Sequence, residues 1–323
     1  QTITSDNINE VYPTYYPPRK SPKECYEQII ADLTDAEKYA PDNDNSDRTK
    51  MTKTVAQAML AKVYAEKEVQ DYDKVITYAD KVIKTTGVEL EDSYETLWGY
   101  DETTKDCLKR NTKEGILEVH WTTGGGNWET WMYGRQLDNW DYYFTWAKWI
   151  TPSRDIINDF EKEGDEIRKN QAIVYYACTW SNYYPASNYP FMYKLRSSYS
   201  NIYWIRLADI ILMKAEAEAY KGNLDESAKL VNQIRKRAKL KELTSDKTNS
   251  KEAMIEAVLH ERRLELAFEG ERWFDLCRNN KVEKYLNGID NRDKGRIKQV
   301  KLFDSNSYLL PIPQTALDQN TNL

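Results

Sequence analysis

The sequence predicts a mostly α-helical fold, in which tetratricopeptide-like helical pairs frame a long, irregular, loop-rich insertion that contains a little β-structure. Two blocks with apolar residues at three- and four-residue spacing support this prediction, one before residue 90 and one from Ile205 onward. Between them, roughly from Glu91 to Asn201, glycine, aromatic and turn-forming residues dominate. We therefore expect an excursion of about a hundred residues that is carried by helices on both sides.

The first helix is predicted from Pro22 to Tyr39. Ser21 precedes a proline at the first helical position, and Glu24 follows three residues after the serine, which is the pattern of a capping box. Apolar residues then recur on one face of this helix: Tyr26, Ile29, Ile30, Leu33 and Ala36. That face needs a packing partner.

The next two predicted helices supply this partner. The segment TKTVAQAMLAKVYAEK places small Ala56 and Ala61 beside larger apolar residues, so that two helices can approach closely. A third helix begins after Asp71, and Gly87 is placed to end it as a left-handed cap. Paired helices of this kind resemble tetratricopeptide units, and an ordinary helical bundle with the same packing stays open as the alternative.

Beyond these helices, one strand and three further helices are predicted. In the segment GILEVHWTT, the residues Leu117, Val119 and Trp121 alternate with Ile116, Glu118 and His120, which indicates a strand. The segment IRLADIILMKAEAEAYKGN has few polar positions and predicts a buried helix. Asp225 is placed to cap the next helix, Ser250 precedes the last long one, and Gly270 predicts a break or bend in it.

Charge and cysteine usage exclude several classes of function. The 323 residues include 46 basic and 52 acidic ones, interspersed along the chain, for a net charge of −6, which disfavours nucleic-acid binding. Cys25, Cys107, Cys178 and Cys277 stand far apart, and with two histidines they argue against a zinc site. The loop PDNDNSD lacks the glycine and glutamate of an EF-hand. We predict no cofactor and no metal, while a Cys107 to Cys178 disulfide stays open.

An aromatic cluster between Trp121 and Trp149 holds six of the ten tryptophans, and a second cluster, TWSNYYPASNYPFMY, follows. A sugar ring has one relatively apolar C–H face and a rim of hydroxyls, so rigid rings beside polar side chains suit it. Ten residues of the two clusters are our candidates for ligand contact: Asn127, Trp128, Trp131, Tyr133, Asp138, Asn139, Trp140, Tyr142, Trp180 and Tyr184. The alternative is that such rings fill the insertion's own core, which we favour for Trp121, Trp146 and Trp149.

Three segments near the end carry a family resemblance: RLADIILMKAEAEAY, then ERRLELAFEGERWFDLCR, then YLLPIPQTALDQNTNL. In this order they resemble the C-terminal signature of the SusD/RagB family of outer-membrane nutrient-binding lipoproteins. The upstream segments SPKECYEQIIADLTDAEKYA and TPSRDIINDFEKEGDEIRK are similar to further parts of the family pattern. Trp273 lies in the second of these segments and Trp204 lies just before the first, and we expect both to be structural.

The resemblance implies a noncatalytic protein that binds a nutrient, usually a glycan and sometimes a peptide, and delivers it to a SusC-like TonB-dependent transporter. It also implies an outward-facing lipoprotein of the outer membrane in a Bacteroidetes-type bacterium. The lipid anchor and an N-terminal ligand-contacting stretch of the family are expected outside this chain.

The expected organisation has five parts. Residues 1–20 form a leader that continues a missing N-terminal part, and 21–90 form the tetratricopeptide-like helices. Residues 91–201 form the aromatic-rich, ligand-facing region, 202–290 form C-terminal helices that pack on the frame, and 291–323 form the family's C-terminal tail.

Two rival classes of function remain open. A helical-frame glycoside hydrolase would also combine aromatic platforms with carboxylates, which function as a pair across the scissile bond. The available carboxylates are Asp101, Glu102, Glu129, Asp138 and Asp141, and nothing in the sequence pairs them. A pure tetratricopeptide scaffold would not need the large aromatic middle.

Overall fold

The computed structural model describes residues 15–104, 106–121, 150–179, 183–197, 199–296 and 298–323. The helices of this part are α1 (Pro22–Tyr39), α2 (Lys53–Ala65), α3 (Tyr72–Ile83), α4 (Glu95–Trp98), α5 (Arg154–Glu163), α6 (Glu166–Ala172), α7 (Leu207–Lys221), α8 (Leu224–Arg237), α9 (Ser245–Thr248), α10 (Lys251–Glu265), α11 (Arg272–Arg278), α12 (Val282–Leu286), α13 (Ile289–Arg292) and α14 (Gln314–Gln319). The strands are β1 (Tyr100–Asp101), β2 (Asp106–Cys107), β3 (Gly115–Val119), β4 (Ile173–Tyr176), β5 (Tyr189–Met192) and β6 (Ile202–Arg206). Single 3-10 turns lie at Ala186–Asn188 and Ser305–Tyr308. The predicted class, mostly helical with a little β-structure, is confirmed.

Helices α1, α2 and α3 form the N-terminal part of the frame, with α2 packed on both of its neighbours. The α1 bounds agree with the prediction, and the Ser21 and Glu24 capping box is present. The rings of Tyr64 on α2 and Tyr78 on α3 stack with centroids 5.7 Å apart. This pairing of successive helices is the arrangement expected of tetratricopeptide-like units.

Gly87 does not cap α3, in contrast to the sequence prediction. The helix ends at Ile83, and Gly87 follows in a separate turn with φ of +80°. Its carbonyl accepts a hydrogen bond of 2.7 Å from Nη2 of buried Arg48. An added Cβ would come within 2.1 Å of the Asn45 side chain, so close approach of that side chain requires glycine here.

Helix α7 is the centre of the fold, as the near absence of polar positions in its segment predicts. It packs against α2, α3, α8 and α10, and most of its residues are buried. The core around it is aliphatic and includes Val55, Ala79, Ile210, Val231 and Val258. Burying such a core supplies the main stabilisation of the frame.

The boundaries of the C-terminal helices differ from the predictions in detail. Helix α8 begins at Leu224 with Asn223 as its N-cap residue, two residues earlier than the predicted cap at Asp225. The Asn223 side chain donates to Glu218 and ties α8 to the end of α7. Helix α10 begins after Ser250 as predicted, and the Ser250 side chain caps it by accepting from the Ala253 N–H. The break near Gly270 is confirmed: α10 ends at Glu265, and Gly270 has φ of +89°.

Gly222 ends α7 in the left-handed conformation, with φ of +86° and open space around its Cα. We expect Gly222→Ala to lower the free energy of unfolding by about 1 kcal/mol, because a Cβ is disfavoured at this φ. Gly222→Asn is the matched control, since asparagine tolerates this conformation and meets the same open space. Urea titration of both variants measures the difference. Equal stability of the parent and the alanine variant would contradict the assignment.

The insertion leaves and rejoins the frame through one antiparallel pair. Strand β3 pairs with β6, which runs directly into α7. Both faces of β3 are largely buried. Buried Glu118 is satisfied by accepting hydrogen bonds from the backbone N–H groups of Asn111 and Thr112, and it contacts His120 Nε2 at 2.7 Å. Strands β4 and β5 form a second antiparallel pair inside the insertion.

A buried ion-pair network holds the insertion onto the helices. Glu265 on α10 accepts hydrogen bonds from three arginines: Arg168 on α6, Arg206 at the end of β6 and Arg237 on α8. Arg206 and Arg237 both also contact Glu114, just before β3. Glu261 and Glu265 therefore belong to a buried ion-pair network rather than to a solvated helix face.

The described residues contain no disulfide, no metal-ligating cluster and no membrane-spanning helix. All four cysteines lie in this part of the chain, and no disulfide joins them. Among the described residues, no group of three or more histidine, cysteine or carboxylate side chains is arranged to hold a metal ion. None of the described helices has both the length and the apolar character needed to cross a membrane.

Candidate functional site

Nine of the ten predicted ligand-contacting residues lie outside the described residues. These nine are Asn127, Trp128, Trp131, Tyr133, Asp138, Asn139, Trp140, Tyr142 and Trp180. The tenth, Tyr184, lies in the described part and lines an open groove of about 450 Å³. This volume is in the range of small-molecule binding sites. We call it the Tyr184 groove, and its described lining residues are Arg154, Ile157, Asn158, Tyr175, Tyr184, Pro185, Asn188, Asn291, Arg292 and Lys294.

Described residues that follow, in the sequence, the parts of both aromatic clusters outside the described chain meet beside the groove. The first cluster ends next to Ile150, and the second resumes at Tyr183. Two hydrogen bonds join these points: the Tyr184 hydroxyl donates to the Pro152 carbonyl at 2.6 Å, and the Thr151 hydroxyl donates to the Pro190 carbonyl at 2.8 Å. The two ends are therefore held together at one wall of the groove.

Helix α5 supplies one wall of the groove. Ser153 caps the helix by accepting from the Ile156 N–H. Phe160 and neighbouring apolar residues of α5 are buried in a small core. Arg154 and Asn158 are four residues apart, which places them on the same face of the helix, toward the groove.

Tyr184 builds the groove wall through contacts that fix its ring. The Arg154 guanidinium lies over the ring, 4.0 Å from its centroid, and Tyr189 packs edge-on at 6.0 Å. Its hydroxyl is engaged by the Pro152 carbonyl. These contacts hold the Tyr184 ring in place in the wall of the groove. The ring of a neighbouring residue, Tyr175, is more exposed.

That neighbour is Tyr175, which sequence reasoning missed. Tyr175 and Tyr176 are adjacent on β4 and equally exposed, but successive side chains of a strand point to opposite faces. Only Tyr175 lines the groove. The signal was present in the segment IVYYACTW, where two tyrosines directly precede the second aromatic cluster.

The polar part of the lining consists of amides and cations. Asn158, Asn188 and Asn291 are exposed and offer both donors and acceptors. Burial raises the pKa of Tyr175 and of Tyr184 above the ordinary value of 10.0. Both phenols therefore stay protonated at neutral pH. An exposed aromatic ring beside several amides is the combination that a sugar ring requires.

The loop after α13 completes the groove through a close approach to Arg154. Gly295 has φ of +101°, and an added Cβ would come within 3.3 Å of the Arg154 guanidinium. Asp293, two residues earlier, accepts from Arg154 Nη1 at 3.1 Å. The backbone of this loop and the arginine therefore fix each other.

Two further cavities adjoin each other and share the lining residues Met192, Phe268 and Gly270. One of about 370 Å³ is mostly apolar and is lined by Ile150, Met192 and Trp273, among others. The other, of about 420 Å³, is lined by Trp98, Trp204 and Phe274, among others. Trp204 was expected to be structural, and this expectation is wrong. Its side chain is 63% exposed, because it points away from the buried side of β6.

Paired helices around α7 and an inserted region that carries an open surface groove define a helical-frame fold. A sequence model of the SusD family matches residues 39–323, and the chain belongs to this family. SusD-like protein P2 of Formosa agariphila is 27% identical over an alignment 337 residues long that includes 94% of this chain. The chain spans 65% of the length of that curated relative.

Solved structures show the same fold. A SusD homolog from Bacteroides thetaiotaomicron has a TM-score of 0.75 at 20% identity, with 99% of this chain and 72% of that chain covered. A protein described as a laminarin-binding SusD-like protein has a TM-score of 0.67 at 22% identity, with 93% and 68% covered. At these identities the likeness establishes the fold.

Proposed function

We propose that the protein is a noncatalytic glycan-binding member of the SusD family and that the Tyr184 groove is part of its binding site. The observation that carries this proposal is the combination of exposed Tyr175 with three amide side chains in one groove. Aromatic rings bind the apolar face of a sugar, and amides bind its hydroxyl rim. The described laminarin-binding relative supports a carbohydrate ligand.

The lining of the groove supports binding without catalysis. Glycoside hydrolysis uses two carboxyl groups on either side of the scissile bond. No carboxylate occurs among the described residues that line the groove. Of the five carboxylates that the hydrolase alternative offered, Asp101 accepts backbone hydrogen bonds from Thr103 and Thr104, which lower its pKa. This engagement fits a turn-stabilising role.

Membership of the family also suggests where the protein acts and which partner it has, and we propose both. The protein would lie on the outer membrane, held by a lipid anchor outside this chain, and pass its ligand to a SusC-like TonB-dependent transporter. The five-part division of the chain stays part of this proposal, with the helical side facing the partner and the insertion facing the ligand. A peptide ligand is the alternative within the same family.

The groove is tested by calorimetric titration of the purified chain with a panel of oligosaccharides and oligopeptides. We expect a glycan to bind, and Tyr175→Ala to weaken this binding about tenfold, because a stacking ring is lost. Tyr176→Ala is the matched control, since it removes an equally exposed ring from the other face of β4. Equal loss in both variants would contradict the site, and binding of peptides alone would contradict the ligand class.

The same titration tests the predicted residues outside the described part. Trp131→Ala and Trp140→Ala each remove one ring from the first aromatic cluster. We expect either substitution to weaken glycan binding while circular dichroism shows a folded protein. Unchanged affinity in both would assign these rings to packing within the insertion.

A further inference from the structure

The Tyr184 groove differs in charge from the protein as a whole. The chain carries a net charge of −6. In contrast, the charged residues among the described lining of the groove are Arg154, Arg292 and Lys294, all cationic. The overall composition of this acidic protein predicts a negative surface, so the positive charge of the groove is a local feature.

The carboxylates that pair with the two arginines lie behind them. Arg154 Nη1 is 3.1 Å from Asp293, and the side chains are 29% and 6% exposed respectively. Arg292 Nε is 3.1 Å from Asp155, and these side chains are 39% and 11% exposed. In both pairs the acid is buried and the guanidinium reaches solvent. The face that a ligand meets is therefore cationic.

The ion-pair cluster behind the groove does not neutralise this face. Asp155 is shared with Arg263, which also contacts Asp159. Arg154, Arg263, Arg292 and Lys294 thus stand against the three carboxylates of Asp155, Asp159 and Asp293, which leaves one positive charge in excess. Within the described residues, exposed Lys294 has no ion-pair partner. We therefore assign the one excess positive charge to the ammonium group of Lys294.

The arginines retain donors for a ligand. Arg154 uses Nη1 and Nη2 for Asp293 and the Tyr183 carbonyl, and Arg292 uses Nε and Nη2 for Asp155 and the Tyr285 carbonyl. Within the part of the chain that the structure describes, Nε of Arg154 and Nη1 of Arg292 make no hydrogen bond. Guanidinium donors bind oxyanions through short, charge-assisted hydrogen bonds.

We propose that the Tyr184 groove takes an anionic oligosaccharide, in which carboxylate or sulfate groups meet Arg154, Arg292 and Lys294 while Tyr175 and the asparagines hold the sugar rings. This inference rests on the proposed glycan-binding function and narrows its ligand class. The amides serve neutral and acidic sugars equally. The three cations add a charge-assisted contribution to affinity where the sugar carries negative charge.

The test compares ligands that differ only in charge. The parent protein is titrated with an oligogalacturonate and its fully methyl-esterified form, and with a sulfated chondroitin oligosaccharide and its desulfated form. We expect at least one acidic ligand to bind about tenfold more tightly than its neutralised or desulfated partner at low salt, and its affinity to fall as salt is raised. The two pairs distinguish a carboxylate from a sulfate as the recognised group.

Lys294→Gln tests the position of the charge. We expect it to weaken binding of the preferred anionic ligand about threefold to tenfold and to leave neutral ligands unaffected. Lys229→Gln makes the same charge change at an exposed lysine on α8 and should have no effect. An equal loss in both variants would show a general charge effect and overturn the site.

The outcomes separate this inference from the proposed function. If neutral glycans bind at the groove as tightly as acidic ones, the anionic preference is wrong and glycan binding stands. If the panel binds no glycan at all, both proposals are wrong.

Discussion

Glu265→Gln is expected to lower the free energy of unfolding by about 3–5 kcal/mol, the cost of removing one partner from a buried ion-pair network. Glu265 is fully buried and accepts hydrogen bonds from Arg168, Arg206 and Arg237. Glutamine keeps the size but replaces the carboxylate that the three guanidinium groups share with a neutral amide. Urea titration at neutral pH measures the loss. Glu242→Gln, at an exposed position, is the control and should change stability by less than about 0.5 kcal/mol.

The pH dependence of stability gives a second readout of the same network. Burial alone would raise the pKa of Glu265, but Arg237, Arg206 and Arg168 hold it well below the ordinary value of 4.5. A depressed pKa in the folded state stabilises the protein above the unfolded value and loses this effect as the pH falls below it. The parent should therefore lose more stability than Glu265→Gln between about pH 5 and pH 3. Parallel pH profiles would contradict the assigned role.

Arg154→Ala is expected to have the largest effect on the groove itself. It uncovers the ring of Tyr184 and removes the hydrogen bond to the Tyr183 carbonyl. It also leaves Asp293 buried without this partner. We expect a loss of stability of about 3 kcal/mol and a loss of glycan affinity greater than about tenfold. Chemical denaturation measures the first effect, and calorimetry of the folded variant measures the second.

Arg154→Lys separates charge from geometry in this prediction. Lysine keeps the positive charge but lacks the planar fork that spans two acceptors and stacks on a ring. We expect it to recover part of the stability and little of the glycan affinity. Full recovery of affinity by lysine would show that the groove needs only the charge at this position.

The frame could be predicted because its signals are local. The cap at Ser21, the apolar spacing of α1 and the buried character of α7 each follow from short stretches of sequence. The errors arose where a contact distant in sequence decided the outcome. Gly87 looked like a helix cap, but it is required by the approach of Asn45 and by the hydrogen bond from Arg48.

The groove was harder to predict for the same reason. The aromatic clusters pointed to the insertion, and Tyr184 lies in the groove. Arg292 and Lys294 also line the groove, although they lie more than a hundred residues after Tyr184 in the sequence, and no local sequence pattern predicts that they do so. We expected Trp204 to be structural. Successive side chains of β6 point to opposite faces, however, and the Trp204 ring faces solvent.

The central claim is that this chain binds glycans at the groove without altering them. The most direct test is calorimetric titration of the purified protein with the acidic oligosaccharides, followed by chromatographic recovery of the ligand after prolonged incubation. We predict saturable binding that Tyr175→Ala weakens and Tyr176→Ala preserves, with the ligand recovered at its original length. Shortened ligand, lost on substitution of a single carboxylate, would show a hydrolase and contradict the account.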